Sequence, residues 1–118
     1  MKKNTFIEKA IVWAEKKSTT PVKATIEGYD TPAGFKNQST EETIQPDLSF
    51  TTKDGSVHYS DIAMKEPDVR KLVTRWRLFS TMATVKKGHF HLLAPKGHKM
   101  FTQKIVDDYN INAEIHSI

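Results

Sequence analysis

The sequence predicts an α/β fold with a mixed central sheet, and three observations carry that expectation. Apolar residues at three-and-four spacing mark helices, and short runs of period two mark strands between them. Three strands follow one another early, whereas the two later strands are each preceded by a helix. The 118 residues suffice for one core and not for two, so residues 1–118 form a single domain.

The first helix runs over residues 4–17. Thr5 is its candidate cap, and Phe6, Ile7, Ala10, Ile11 and Ala14 make one apolar face until Pro21 forbids continuation. From Val22 to Tyr29 the alternation of Val22, Ala24 and Ile26 with Lys23, Thr25 and Glu27 predicts a half-buried strand. Residues 30–43 lack periodicity and read as a mobile loop, long for so small a domain. A hairpin follows over residues 44–65 with Lys53-Asp54-Gly55 at its turn. A two-residue turn pairs Lys53 with Ser56 and sets Asp47 on the face opposite Asp61; a three-residue turn pairs Thr52 with Ser56 and sets Asp47 across from Asp61. Both turns suit these residues.

After Pro67, a first-turn residue by expectation, Val69, Leu72, Val73, Trp76, Phe79 and Met82 or Ala83 form the strongest helical stripe. Lys86-Lys87-Gly88 ends it, the cations at the negative pole and the glycine reversing the chain. A strand over "HFHLLAP", a short helix over "GHKMFTQKIVDDYN" and a strand over "INAEIHSI" complete the order α-β-β-β-α-β-α-β. The later strands join in parallel through crossovers, which are right-handed.

Composition narrows the chemistry. Without cysteine there is no disulfide, thiolate ligand or thiol nucleophile, so any metal sits on oxygen or imidazole. The start carries Asn4, Glu8 and Lys9 where a secretory signal needs an apolar core, and apolar runs are short; a cytoplasmic protein with no membrane contact is expected. A net charge of +4 is compatible with a polyanionic partner. No phosphate-cradling glycine loop, catalytic serine triad or dinucleotide fingerprint occurs.

The hairpin concentrates what remains. Pro46-Asp47 heads one strand, and Asp61 and Lys65 share one face of the next by their even spacing. The first helix is expected to bring Glu8 and Glu15 near that edge. Grouped carboxylates make a hard-oxygen site suited to Mg²⁺ or Mn²⁺, and a lysine beside them can orient a water for attack on a phosphodiester. Arg70, Lys71, Arg75 and Arg77 surround the stripe of the long helix, and with Lys86, Lys87 and Lys96 they are candidate phosphate contacts or a solvated face. Trp76 belongs to the core, while Trp13 lies at the margin of its apolar arc. His89 and His91 alternate on one strand with His98 beyond, but no acid stands nearby in sequence and Lys86, Lys87, Lys96 and Lys99 flank them. They are expected to be exposed polar residues or phosphate contacts.

In Pro46-Asp47, Lys65 and the element order, the chain resembles the PD-(D/E)xK nuclease superfamily. The resemblance covers most of the chain and implies a restriction-endonuclease-like α/β/α sandwich acting on nucleic acid, DNA rather than RNA. It implies Asp47 as a metal ligand, Lys65 as the catalytic lysine and Glu8 as an additional acidic ligand. Glu8, Asp47 and Asp61, with a backbone carbonyl of the third strand, would hold one Mg²⁺ or Mn²⁺ for phosphodiester hydrolysis while Lys65 positions the attacking water, and family habit suggests a homodimer. One position departs from the pattern: Ala63 stands where the second carboxylate belongs. Asp61, two residues earlier, serves as a migrated ligand, or holds the acidic position with the lysine role served elsewhere, or the site has decayed and the fold only binds.

Overall fold

The computed structural model describes residues 3–36 and 41–118. Helix α1 (Lys3–Glu15) is followed by β1 (Lys23–Ala24), β2 (Phe35–Lys36), β3 (Thr43–Ile44), β4 (Leu48–Thr51) and β5 (Val57–Ile62). Helix α2 (Val69–Val85), β6 (Phe90–Ala94), α3 (Lys99–Asp108) and β7 (Glu114–Ser117) complete the chain. The main sheet has the order β1-β4-β5-β6-β7, and β2 pairs with β3 in a small ribbon. Strands β1, β4 and β5 are antiparallel neighbours, whereas β6 and β7 join in parallel, so the sheet is mixed.

Each face of the sheet buries its own apolar set. Ile7, Ala10, Ile11 and Ala14 of α1 pack on Leu48, Phe50, Ile62 and Leu93. On the other face Val73, Trp76, Phe79 and Ala83 of α2, with Ile105 and Val106 of α3, cover Tyr59, Ala63, Phe90 and Leu92. One helix therefore lies on one side and two on the other, the division expected when side chains of one strand alternate between two buried faces. Among the described residues no helix is long and apolar enough to cross a membrane.

The hairpin adopts the longer of its two turns. Leu48 faces Ser60 and Thr51 faces Val57, Thr52 N–H donates to the Ser56 carbonyl, and Gly55 takes φ +86°. That is the three-residue turn with a left-handed glycine, and it extends the pairing so that Asp47 stands opposite Asp61.

Several local expectations change. The strand expected over 22–29 is confined to Lys23–Ala24, because beyond it the chain turns back through Gly28 and Ala24 N–H goes to the Asp30 carbonyl. The segment expected as a mobile loop contributes β2 and β3, and Phe35 packs edge-on against Tyr59 at 5.3 Å; residues 37–40 of that expectation lie outside the described residues. Asp68, not Pro67, opens α2 by accepting from Lys71 N–H. At the far end Lys87, not Gly88, takes the left-handed conformation, with Gly88 N–H returning to Ala83 and Lys87 N–H to Thr84. Gly88 is required for another reason: a Cβ there would collide with the Val57 carbonyl of the adjoining β5.

Candidate functional site

Asp47 and Asp61 are joined by an exchange that replaces the sheet ladder at its last rung. Asp47 N–H donates to Asp61 Oδ1 at 3.2 Å, and Ile62 N–H donates to Asp47 Oδ2 at 2.8 Å. Two backbone donors that would otherwise be stranded at the end of β4–β5 are thus satisfied by carboxylates. Both side chains are buried.

Cations close the pair from above. Arg75 of α2 clamps Asp61 with Nε on Oδ2 at 2.7 Å and Nη2 on Oδ1 at 2.8 Å, and Nη2 also reaches the Gln45 carbonyl at 2.7 Å. Trp76 Nε1 donates to Asp61 Oδ2 at 3.1 Å. Lys3 Nζ lies 3.1 Å from Asp47 Oδ2, and Arg75 Nη2 is 3.7 Å from Asp47 Oδ1. Neighbouring residues of one helix, Arg75 and Trp76, therefore address one carboxylate with a planar fork and an indole donor.

The two acids titrate apart. Burial and the adjacent Asp61 charge push Asp47 up to about 7, against the pull of Lys3 and the Ile62 N–H. Burial also acts to raise Asp61, but the hydrogen bonds and charge of Arg75 outweigh it and hold Asp61 below the usual carboxylate range. Asp61 is the anion of the pair, and Asp47 takes the proton.

Tested against the Mg²⁺ or Mn²⁺ that the family resemblance implies, this donor set does not fit. A hard cation needs carboxylate oxygens with free lone pairs and room for its waters. Both Asp61 oxygens are already engaged by Arg75, with Trp76 and Asp47 N–H adding a further donor to each, while Asp47 meets Lys3, Arg75 and Ile62 N–H. Glu8 does not join the pair. It is exposed on α1, which packs on the opposite face of the sheet from Asp61, and Glu15 is exposed at the far end of the same helix. Lys65 is not on a strand face, because β5 stops at Ile62; it is exposed in the following loop, its N–H donating to His98 Nδ1 at 2.9 Å. Ala63 is fully buried, facing the α2 core where the family's second carboxylate would stand.

Beside the pair opens a cleft of about 360 Å³, bordered by Lys3, Lys65, Glu66, Lys71 and Arg75 with Asp61 at its floor. Lys65 and Lys71 are exposed there. The other candidate phosphate contacts do not gather at this cleft. Arg70 is exposed on the first turns of α2, and Lys86 and Lys87 lie past its last turn, about 25 Å along a seventeen-residue helix. Arg77 turns toward α3, where Nη2 donates to the Tyr109 carbonyl at 2.8 Å. Lys96 is exposed beyond the end of β6.

A second polar cluster, not anticipated as a unit, lies on the α1 face. His58 of β5, His91 of β6 and His116 of β7 form a row across three adjacent strands: His91 Nε2 is 3.3 Å from His58 Nδ1, and His91 Nδ1 is 3.1 Å from His116 Nε2. Trp13 packs against both His91 and His116, at ring separations of 5.2 and 5.1 Å. His91 is buried rather than exposed, and burial with its imidazole neighbours lowers it to about 3. Glu114, the acid that sequence spacing failed to bring near, arrives from β7 because His91 and Glu114 are in register there. The available signal was Glu114-Ile115-His116, the same alternation as His89-Phe90-His91.

Comparison with known proteins finds no matching family model, no matching curated protein and no matching solved structure.

Proposed function

We propose that this protein is a nucleic-acid-binding domain of restriction-endonuclease-like architecture, in which the acidic pair holds the fold together and does not cleave. The observation that carries the reading is the full engagement of Asp47 and Asp61 by Lys3, Arg75, Trp76 and backbone N–H groups, together with Ala63 in place of a second motif carboxylate. Hydrolysis through a Mg²⁺ site asks for those same oxygens. Binding asks only for cations at an accessible edge, and Lys65 and Lys71 supply them at the cleft. The expected ligand is a phosphodiester backbone, with DNA preferred over RNA on the family resemblance.

Fluorescence anisotropy with labelled duplex and single-stranded DNA tests this. Binding at low salt, unchanged by EDTA, is expected to weaken steeply as salt rises. Replacing Lys65 and Lys71 together by alanine should lower the magnitude of the log–log salt slope by about 2, roughly one for each phosphate that is no longer neutralised. Absence of binding at low salt would leave an assembly module as the better description. Mg²⁺- or Mn²⁺-dependent cleavage of DNA that is abolished by Asp47→Ala would reinstate the hydrolytic one.

A further inference from the structure

The imidazole row has a defined arrangement of protons, and that arrangement places one nitrogen lone pair beside a second imidazole and an acid. The backbone N–H of His89 can only donate, and it meets His58 Nδ1 at 3.1 Å. His58 Nδ1 is therefore an acceptor, and its proton is on Nε2, which lies 3.2 Å from Thr52 Oγ1. Thr52 can receive it because its own hydroxyl proton goes to Asp54 Oδ1 at 2.7 Å. The next pair follows. His91 Nε2, 3.3 Å from His58 Nδ1, can only be a donor there, sharing that nitrogen's one lone pair with His89 N–H. A neutral imidazole has one N–H, so His91 Nδ1 carries a lone pair; without a metal it accepts from His116 Nε2–H at 3.1 Å, and His116 frees Nε2 for a metal by carrying its proton on Nδ1 instead.

Three ligand atoms converge at that point. His91 Nδ1 is 3.1 Å from His116 Nε2, and each of these nitrogens is 3.9 Å from Glu114 Oε1. The position equidistant from all three lies about 2.1 Å from each, which is the bond length of Zn²⁺ to imidazole nitrogen and carboxylate oxygen. A metal that lifts out of this plane to take a fourth ligand requires the triangle to contract by a few tenths of an ångström. Both outer side chains can move that far, since His116 and Glu114 extend from an edge strand and are 31% and 51% exposed. Two of the three ligands also have support behind them. His58 receives the Nε2 proton of His91, and His89 Nδ1 stands 3.4 Å from Glu114 Oε2, leaving Oε1 turned inward. A ligating histidine whose other nitrogen donates to a fixed acceptor is the usual means of holding a metal-bound imidazole in place. Lys17, over Trp13 at 5.2 Å, and Lys99 are the cations that oppose a metal here; both are exposed and on flexible stems, so they can swing away.

We propose that His91, Glu114 and His116 form a Zn²⁺ site, with three protein ligands and a fourth position open to solvent. Imidazole and carboxylate without thiolate suit Zn²⁺ and its Co²⁺ substitute. The site is independent of the cleft reading, since it lies on the other face of the sheet.

The test uses the untagged full chain, stripped with chelator and titrated with Zn²⁺ by calorimetry and with Co²⁺ by visible absorption. One equivalent should bind, with d–d bands for Co²⁺ and a rise in melting temperature for Zn²⁺, since a ligand of the native state stabilises it. Glu114→Gln and His116→Ala should each weaken binding by more than about 100-fold, and His58→Phe by about 10- to 100-fold, the range for loss of a residue that orients a ligand. His98→Ala should leave affinity unchanged, because of the five histidines it alone neither belongs to the row nor contacts Glu114. The outer ligands are on the surface, so their variants are expected to fold, and circular dichroism checks this. No saturable one-to-one binding overturns the proposal. So does binding that survives His116→Ala or disappears with His98→Ala.

Discussion

The two polar clusters share one strand and solve burial in opposite ways. On the α2 face of β5, Asp61 is charged, and its cost of desolvation is offset by a guanidinium fork, an indole and a backbone N–H. On the α1 face of the same strand, His58 begins a row of groups that are buried by staying neutral. Charge matched by charge makes a closed unit with no valence to spare. Neutral groups passing protons along a line end at a partly exposed imidazole on an edge strand, and that end can turn its proton away and accept something new. The difference shows why the acidic pair, the more conspicuous motif in the sequence, is the poorer candidate for a metal.

The largest expected effect separates the clusters by what truncation leaves behind. Arg75→Ala strands a buried carboxylate and should cost about 3–5 kcal/mol in urea denaturation, the usual penalty for removing one partner of a buried ion pair. His116→Ala in metal-free protein removes a partly exposed neutral ring and should cost less than about 1 kcal/mol. Similar losses from the two would erase the distinction between the clusters. Trp76→Phe sharpens it: Asp61 Oδ2 loses a donor and a fully buried site loses part of its ring volume, for an expected destabilisation of at least about 1–3 kcal/mol. If that variant unfolds at the same urea concentration as the parent, the indole N–H contributes only shape.

The last effect is one of slope. Asp47 has a folded value of about 7 against 3.8 for the free acid, so its contribution to stability is present at low pH and is lost as pH rises through 7. His91, lowered to about 3 from 6.5, acts in the opposite sense: its contribution is present above 6.5 and is lost as pH falls. Between about pH 4 and 6.5 the two offset one another. Asp47→Asn removes one side of that balance, and stability measured with chelator present should then climb more steeply with pH than in the parent. Parallel profiles would show that Asp47 does not carry the proton.

Much of the fold was legible because helix and strand periods are local properties. The stripe from Val69 to Ala83 is the buried face of α2, and Trp76 is core as its place in that stripe requires. The boundaries that moved did so for non-local reasons, as at Gly88, whose necessity comes from the Val57 carbonyl thirty-one residues earlier. Within the candidate site, the convergence of Asp47 and Asp61 was one of two registers that the turn permits, and nothing in residues 53–55 alone selects between them. Arg75 was legible as a cation but not as the counterion of Asp61, because that depends on how α2 lies over β5. The histidine row was least legible of all. It joins residues 58, 91 and 116, which become neighbours only once β5, β6 and β7 are aligned in parallel.

The hairpin tip at Lys53-Asp54-Gly55 is a place where an engineer would ordinarily splice an epitope tag or a reporter loop, since exposed turns tolerate added chain. Here its length decides that Asp47 meets Asp61, and its Asp54 anchors the hydroxyl of Thr52, which receives the His58 proton. Three surface residues thus govern both interiors of the protein, and an insertion among them would be felt on both sides of the sheet at once.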